Sequence, residues 1–382
     1  MTTSAIIDDE GWMRQALTLA ESVMYITAPN PRVACLIVRD GQVLAQGATQ
    51  VAGGPHAEVM ALRQAAERGL DVAGATIYVT LEPCSHYGRT PPCVDAVIAA
   101  RPARVVVAMY DPNPLVGGRG IAKLRAAGIP VATQVCTPEA LAINPGFVAR
   151  MTRKTPWVWL KLAASLDGRI ALSNGESQWI TGPAARADGH HWRARSCVML
   201  TGSGTVKADD PQLNVRHVET ARPPIKAIID TRLEIDENAR IFDGSKVWVF
   251  ASHSNPAKAA RLADRNAEVV EMPACGQRVD LPSIMRWLGE RDINEVHVEA
   301  GSILSGALLQ AQCVDELLLY TAPVLLGEGL GMVRLDALSS LAQAQRFEFT
   351  DVQSVSPDLR VRARHIERWK HLLQAVQPRD VR

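Results

Sequence analysis

Three side chains that can bind a metal lie at the ends of predicted secondary-structure elements, and they constrain the fold most. His56 lies at the start of a predicted helix, Cys84 follows a predicted strand, and Cys93 begins another predicted helix. One imidazole and two thiols are ligands typical of Zn²⁺, and three protein ligands leave a fourth tetrahedral position open for water. The fold must therefore bring three element ends together.

The spacing around these ligands predicts a catalytic zinc. Glu58 lies two residues after His56, and His-x-Glu followed by Pro-Cys-x-x-Cys is the pattern of zinc nucleobase deaminases, in which the glutamate moves protons and is not a ligand. Glu58 would take a proton from water and return protons to the ring and to the departing ammonia. Here eight residues separate the two cysteines. The alternative is a closed structural zinc with His86 as fourth ligand, which would leave Glu58 without a role.

The charge balance favours a small-molecule substrate. The 382 residues contain 41 Lys+Arg and 40 Asp+Glu, giving a net charge of +1, and no basic block is present. A general nucleic-acid binder would carry a basic patch or stripe. The length and the 47% hydrophobic content predict two domains with substantial cores.

Cysteine usage and hydropathy predict a soluble cytoplasmic protein. Seven cysteines are scattered along the chain, which is typical of reduced thiols rather than a disulfide framework. The polar, acidic N-terminus does not resemble a signal peptide, and no apolar run approaches the length of a membrane span. We therefore expect neither a membrane nor a nucleic acid as a partner.

The first part of the chain alternates predicted helices and strands. Helices are predicted over about 12–25 and 55–68, and strands over 33–38, 75–81 and 104–109. This alternation predicts a layered α/β domain around a sheet. The zinc would lie at the sheet edge where two helix N-termini converge, because their partial positive charge favours thiolates.

A second domain is predicted after a boundary region at about 137–154. The predicted division is 1–150 for a zinc-dependent deaminase domain, 151–370 for a second domain and 371–382 for a weakly patterned tail. The second domain lacks G-x-G-x-x-G after a strand, so an ordinary dinucleotide fold is not indicated. Glycine-rich segments follow two of its predicted strands, at Thr201–Thr205 and Gly301–Ala307. Such glycines admit a phosphate to the backbone or simply mark turns.

The first half resembles the deaminase half of the bifunctional riboflavin-biosynthesis enzymes, in which a pyrimidine deaminase is fused to a reductase. The resemblance lies in Asn30-Pro31-Arg32-Val33, Pro55–Glu58, Glu82–Cys93 and Asp111–Pro114 with Gly117 and Gly118. Ala34 departs from it, since the family usually has glycine there. The resemblance implies a cytidine-deaminase-like three-layer domain. It also implies that the substrate is held by Asn30, His86, Arg89 and Asn113, with Arg89 suited to a phosphate by its forked donors.

The second half resembles the reductase half of the same family. The matching segments are Ala163–Arg169, Glu176–Thr181 and Ala208–Leu213. The resemblance implies a dihydrofolate-reductase-like mixed sheet that uses NADPH. The implied NADPH contacts are Ala163, Trp179, Thr205, Asp209, Thr231, Gly301, Ser302, Ile303, Leu304, Ser305, Gly306 and Ala307. The implied contacts to the substrate's ribosyl phosphate are Ser177, Arg193, Leu213, Arg216 and Glu299.

Together the two resemblances predict a bifunctional enzyme of riboflavin biosynthesis with Zn²⁺ and NADPH as cofactors. It would deaminate 2,5-diamino-6-ribosylamino-4(3H)-pyrimidinone 5′-phosphate and then reduce the ribosyl group of the product to a ribityl chain. The family resemblance also implies a homodimer or homotetramer. Two alternatives stay open: a second domain that is a scaffold or binds a folate-like ligand, and a zinc-stabilised binding protein without chemistry. A nucleic-acid deaminase is disfavoured by the neutral charge and the long inter-cysteine loop.

Overall fold

The computed structural model describes residues 8–85, 92–113 and 116–378. The chain forms two compact units. The first comprises the residues up to Arg153 together with those from Lys370 onward, and the second comprises Lys154–Trp369. The predicted candidates His86 and Arg89 lie outside the described residues.

The first unit is a five-stranded sheet with helices. Its strand order is β2-β1-β3-β4-β5, in which β1 pairs antiparallel with β2 and β3, and β3, β4 and β5 run parallel. The elements are α1 Asp9–Glu21, β1 Ala34–Arg39, β2 Gln42–Ala48, α2 Ala57–Glu67, β3 Thr76–Val79, α3 Cys93–Ala99, β4 Arg104–Val107, α4 Arg119–Ala126, β5 Val131–Thr133, α5 Thr137–Ile143 and α6 Pro145–Arg153.

Local sequence explains how these elements begin and turn. The Asp8 side chain accepts a hydrogen bond from the Gly11 N–H at 2.8 Å and caps α1. Asp40 and Gly41 both have positive φ, 53° and 71°, which is the backbone of a two-residue hairpin turn and joins β1 to β2. Asp-Gly is also the sequence signature of such a turn.

The region from Thr137 to Arg153 is helical and belongs to the first unit. The sequence predicted the domain boundary within this region but no helices there, whereas α5 and α6 fill it and the two units divide after Arg153. Pro138, near the start of α5, and the buried Phe147, Val148 and Ala149 of α6 are the local signals of these helices.

The second unit is built on a nine-stranded sheet. Its order is β11-β10-β9-β8-β14-β6-β15-β18-β17, parallel from β11 to β15 and antiparallel at β18 and β17. The elements are β6 Trp157–Ser165, β7 Arg169–Leu172, α7 Pro183–Arg195, β8 Val198–Gly202, α8 Ser203–Asp209, β9 Ile225–Ile229, β10 Val247–Ala251, α9 Pro256–Ala263, β11 Ala267–Glu271, β12 Ala274–Cys275, β13 Arg278–Val279, α10 Leu281–Gly289, β14 Glu295–Glu299, α11 Ser302–Gln310, β15 Glu316–Ala322, β16 Gly329–Gly331, a 3-10 turn Leu341–Gln343, β17 Phe347–Val355 and β18 Asp358–His365. The last helix, α12 Ile366–Ala375, begins in this unit and continues into the first.

Buried ion pairs accompany the apolar core of this sheet. The Glu295 carboxylate, with a fully buried side chain, accepts from Arg195 Nε at 2.7 Å, and Glu316 is paired with Arg362 and Arg364. Each of these carboxylates has a guanidinium partner, which compensates for the desolvation of the charge. Beyond Trp369, where a weakly patterned tail was expected, the chain stays helical to Ala375, and these residues belong to the first unit. Within the described part of the chain, no helix is both long and apolar enough to cross a membrane.

We expect Gly47→Ala to destabilise the first unit. A Cβ at this position in β2 would lie 2.4 Å from Ala61 N and 2.5 Å from Ala57 O of α2, so the helix that carries His56 and Glu58 could not stay in place. Overpacking against backbone costs about 3 kcal/mol. Thermal unfolding followed by circular dichroism measures the change. Gly204→Ala is the control, because no heavy atom lies within 4 Å of its Cβ. Equal melting temperatures for Gly47→Ala and wild type would contradict the packing argument.

Candidate active sites

The start of α2 places His56 and Glu58 at one cavity of the first unit. His56 is the N-cap residue, with extended backbone angles of φ −78° and ψ 168°, and Glu58 lies in the first helical turn. The Glu58 side chain is buried, with 4% of the residue exposed. Both side chains line the cavity, as the sequence pattern predicted.

The three predicted zinc ligands come together. Cys84 follows β3 and Cys93 is the first residue of α3. His56 Nδ1 lies 3.2 Å from Cys93 Sγ and 3.6 Å from Cys84 Sγ, and the three ligand atoms all lie within 4.8 Å of one another. Tetrahedral Zn²⁺ with bonds of about 2.3 Å to sulfur and about 2.0 Å to nitrogen requires N···S separations of about 3.6 Å. The donor set and its spacing therefore fit zinc.

The electrostatics of the ligands also favour a cation. Hydrogen bonds from Cys93 and His56 lower the pKa of the Cys84 thiol, while the neighbouring Cys84 sulfur and burial raise the pKa of Cys93. The Cys84 contact raises the pKa of His56, and burial raises the pKa of Glu58 to about 7. The thiolates of Cys84 and Cys93, within 4.8 Å of each other, would repel. A divalent cation between them would therefore be needed to keep both deprotonated.

A second buried carboxylate, Glu82, holds the loop between β4 and α4. Its Oε2 accepts from the N–H groups of Asp111 and Gly118 at 3.2 and 2.9 Å, and its Oε1 accepts from Gly120 and Ile121 at 2.9 and 3.2 Å. These donors include the N-terminal N–H groups of α4, a favourable place for an anion. Glu82 belongs to the motif that carries the family resemblance, but no role was predicted for it from sequence.

The cavity around these residues has a volume of about 400 Å³. The predicted substrate residues Asn30 and Asn113 line it together with Asp111. Sequence reasoning missed the contribution of α6, because the helix itself was missed. The α6 residues in the lining are Phe147, Arg150 and Met151.

The second unit contains a larger cavity of about 790 Å³. It brings together most residues that the resemblance implied for the reductase half. Those in the lining are Ala163, Ser177, Trp179, Arg193, Thr205, Asp209, Leu213, Arg216, Glu299 and Gly301. Thr231 and Ser302–Ala307 do not line it. Within α11, Ser305 and Gly306 are buried, and a Cβ on Gly306 would lie 1.9 Å from Arg334 O.

A paired carboxylate lies in the wall of this cavity. Arg193 binds Glu299 with two parallel hydrogen bonds of 2.6 and 2.9 Å, and Lys161 Nζ lies 3.9 Å from the same carboxylate. These cations hold the pKa of Glu299 well below its usual range, although burial opposes them. Glu299 is therefore an anion at neutral pH. Lys161 was not among the sequence candidates. The structure shows that it lines this cavity together with its neighbours in β6, Leu162 and Ala163.

His190 holds the chain segment that carries Arg216. The buried His190 Nδ1 accepts a hydrogen bond from the Arg216 backbone N–H at 3.0 Å, which requires that nitrogen to be unprotonated. In the same segment, Arg193 donates to Asn214 O at 2.9 Å. Burial, together with the charges of Arg193 and Arg216, lowers the pKa of His190 to about 4. Sequence reasoning missed His190, since a histidine within a helix is ordinary.

Comparison with known proteins decides between the open alternatives. A family model of the cytidine and deoxycytidylate deaminase zinc-binding region matches residues 6–109, and a model of the RibD C-terminal domain matches residues 156–361. The riboflavin biosynthesis protein RibD of Escherichia coli (strain K12) is 45% identical over 92% of this chain and 98% of its own length. The chain belongs to the RibD family.

Further RibD relatives agree with this assignment in sequence and in structure. The riboflavin biosynthesis protein RibD of Haemophilus influenzae is 42% identical, covering 92% of this chain and 95% of that protein. The solved structure of Acinetobacter baumannii RibD is 43% identical with a TM-score of 0.84, covering 93% of this chain and 98% of that one. A diaminohydroxyphosphoribosylaminopyrimidine deaminase/5-amino-6-(5-phosphoribosylamino)uracil reductase from Thermotoga maritima is 35% identical with a TM-score of 0.83 and the same coverage.

Membership in the RibD family confirms the predicted fold class and function. The protein is a bifunctional deaminase and reductase of riboflavin biosynthesis. Its first part is a cytidine-deaminase-like zinc-binding domain, and its second part is a RibD reductase domain of dihydrofolate-reductase-like fold, a domain family that uses NADPH. The substrate is a small-molecule pyrimidine.

Replacing Glu82 by Gln should impair the deaminase and spare the reductase. Each carboxylate oxygen of Glu82 accepts hydrogen bonds from two backbone N–H groups. In glutamine the side-chain NH₂ group would replace one of these oxygens. It cannot accept hydrogen bonds, so two would be lost and the NH₂ group would face N–H donors. Leaving buried polar groups unpaired costs about 1–3 kcal/mol each. Urea unfolding, ammonia release and NADPH oxidation on one preparation measure the three effects. Unchanged stability and ammonia release would contradict this role for Glu82.

His190 should make stability depend on pH in the acid range. A folded-state pKa of about 4, below the ordinary value of 6.5, means that the unfolded chain binds the proton more readily between these values. The contribution is therefore present above pH 6.5 and is lost as the pH falls toward 4. Between pH 7.5 and 5 we expect wild type to lose about 1–2 kcal/mol more unfolding free energy than His190→Asn. Urea unfolding at both pH values tests this, and parallel losses in the two proteins would contradict it.

Proposed function

We propose that the first unit hydrolytically deaminates 2,5-diamino-6-ribosylamino-4(3H)-pyrimidinone 5′-phosphate. The observation that carries this proposal is the convergence of His56, Cys84 and Cys93 beside the buried carboxylate of Glu58, in a cavity that admits a ligand. A closed structural zinc would not need a buried carboxylate of raised pKa at its side.

In this proposal the ligands and Glu58 have separate roles. His56, Cys84 and Cys93 bind zinc, which when present supplies a Lewis acid that brings the pKa of water toward neutrality. Glu58 accepts a proton from the attacking water and returns protons to the pyrimidine ring and to the leaving ammonia. A carboxyl group with a pKa near 7 suits both directions of transfer.

The substrate would be held by side chains that line the same cavity. Asn30 and Asn113 line it and offer amide donors and acceptors to the pyrimidine edge. His86 and Arg89, proposed from the family motif, complete this set. The Glu82 hydrogen bonds keep Asn113 in place, because they fix the backbone of Asp111 two residues before it.

In the second unit, we assign NADPH to the 790 Å³ cavity as hydride donor for reduction of the ribosyl group to ribityl. Gly301, the N-cap of α11, lines the cavity, and its N–H donates to Thr205 Oγ1 at 3.1 Å. A helix N-terminus beside a cavity is a favourable place for a cofactor phosphate. The proposed cofactor contacts that line the cavity are Ala163, Trp179, Thr205, Asp209 and Gly301. Thr231 and Ser302–Ala307 do not line it, and they are proposed as cofactor contacts from the family resemblance alone.

The reductase substrate would bind in the same cavity. Arg193 and Arg216 supply guanidinium groups suited to a phosphate, and Glu299 offers an ionised acceptor for sugar hydroxyl groups. Ser177 and Leu213 complete the proposed substrate contacts. The bond from His190 places Arg216, so it contributes to binding without touching the substrate.

The location and assembly of the protein remain predictions. We expect a cytoplasmic homodimer or homotetramer. An oligomer is supported by β17, an edge strand of the nine-stranded sheet, on which Phe349 and Val352 are 74% and 58% exposed. Apolar side chains on an exposed edge strand favour association.

Glu58→Gln should abolish ammonia release while zinc and reductase activity remain. The amide cannot accept the proton of water, and loss of a general acid–base lowers turnover by about 10²–10⁴-fold. The measurements are zinc content, ammonia release from the diaminopyrimidine phosphate, and NADPH oxidation with the deaminated product. Glu67→Gln, at the exposed end of the same helix, is the control and should behave as wild type.

Three results would contradict the proposed activities. Zinc in both proteins with no ammonia from wild type would mean a structural site or a different substrate. Full ammonia release by Glu58→Gln would remove Glu58 from the chemistry. Absence of NADPH oxidation by wild type with the deaminated pyrimidine would contradict the assignment of the second cavity.

A further inference from the structure

The lining of the deaminase cavity is acidic, so binding an anionic substrate there requires a cationic side chain. Three carboxyl groups line its described part, those of Glu58, Glu82 and Asp111. Among the described lining residues, Arg150 is the one with a guanidinium or ammonium group. A phosphate dianion that leaves water for such a cavity needs a cationic or hydrogen-bonding partner.

Arg150 is held at the wall that also carries Asn30. It lies on α6, is half-buried, and donates from Nη2 to Pro29 O at 3.3 Å, one residue before Asn30. Phe147 and Met151, three positions before and one after it, line the same cavity. A guanidinium has five N–H donors in a planar fork, so it can hold a carbonyl and contact a phosphate at the same time.

The junction between α5 and α6, which precedes Arg150 in the chain, is fixed by hydrogen bonds. Asn144, between α5 and α6, accepts from the Arg32 N–H and donates to Arg32 O, both at 2.8 Å. Arg32 Nη1 also donates to Ile143 O at 2.9 Å. These bonds join the Asn30 loop to the helix pair that carries Arg150, so the guanidinium is positioned before the substrate arrives.

We propose that Arg150 contacts the 5′-phosphate of the pyrimidine substrate in the deaminase cavity and makes this site selective for the phosphorylated compound. The inference rests on the proposed deaminase substrate and assigns a residue that the sequence motifs did not. A bidentate guanidinium–phosphate contact gives both charge pairing and fixed geometry. The cavity volume of about 400 Å³ lies within the range of small-molecule sites.

The test combines a change in the protein with a change in the ligand. Ammonia release is measured for wild type, Arg150→Met, Arg150→Lys and the control Arg63→Met, which removes an exposed arginine of α2. Each protein is assayed with the diaminopyrimidine 5′-phosphate and with the same compound after dephosphorylation. Zinc content and NADPH oxidation of each preparation report on correct folding.

For Arg150→Met we expect kcat/KM to fall about 10- to 100-fold with the phosphorylated compound, mainly through KM, and less than about twofold with the dephosphorylated one. Arg150→Lys should recover part of the loss, because an ammonium keeps the charge but not the fork. Arg63→Met should match wild type. Ribose 5-phosphate should inhibit wild-type ammonia release more strongly than that of Arg150→Met.

Two outcomes for Arg150 would overturn the inference. Equal losses with both compounds would mean that Arg150 only supports Pro29 and the cavity wall. No loss with the phosphorylated compound would mean that other residues bind the phosphate, and a loss on Arg89→Met alone would assign that role to Arg89. A wild-type protein that releases no ammonia from either compound would instead contradict the proposed function, and this inference with it.

Discussion

Parallel strand pairing is the constraint on which both sites depend. In the first unit β3 and β4 run parallel, so the residues that follow them, Cys84 and Asp111, reach the same edge of the sheet. In the second unit β6, β8 and β14 run parallel, and the cavity lies where Glu299 ends β14. The carboxyl ends of parallel strands are where open α/β sheets collect polar side chains from distant parts of the chain.

Both sites use buried charges that are fully paired. Glu82 is bonded by four backbone N–H groups, and Glu299 by Arg193 with Lys161 nearby. An unpaired carboxylate at such depth would take up a proton or destabilise the fold. The paired groups instead fix the loops around each cavity. Burial raises the pKa of both Glu82 and Glu58, and that of Glu58 reaches about 7, which fits the proton transfers proposed for it.

The predictions from sequence succeeded where local spacing determines geometry. His56 and Glu58 face one cavity because residues two apart at a helix start share the same helix end, and Cys84 and Cys93 follow from their places at a strand end and a helix start. The Asp40-Gly41 turn was readable for a similar reason. The α5–α6 pair was missed, because short helices with weak caps resemble a linker in sequence.

By itself, the sequence determined the candidate zinc ligands, the candidate acid–base residue, the two-part α/β organisation and the family, because these depend on residue types at short, fixed spacings. Only the tertiary structure decided which distant residues share a cavity. Arg150 meets Pro29 and lies in the wall with Asn30, His190 meets Arg216, and Glu82 meets the start of α4. Such contacts join positions 26 to 121 residues apart. They are set by how strands pair and helices pack, which no local pattern in the chain records.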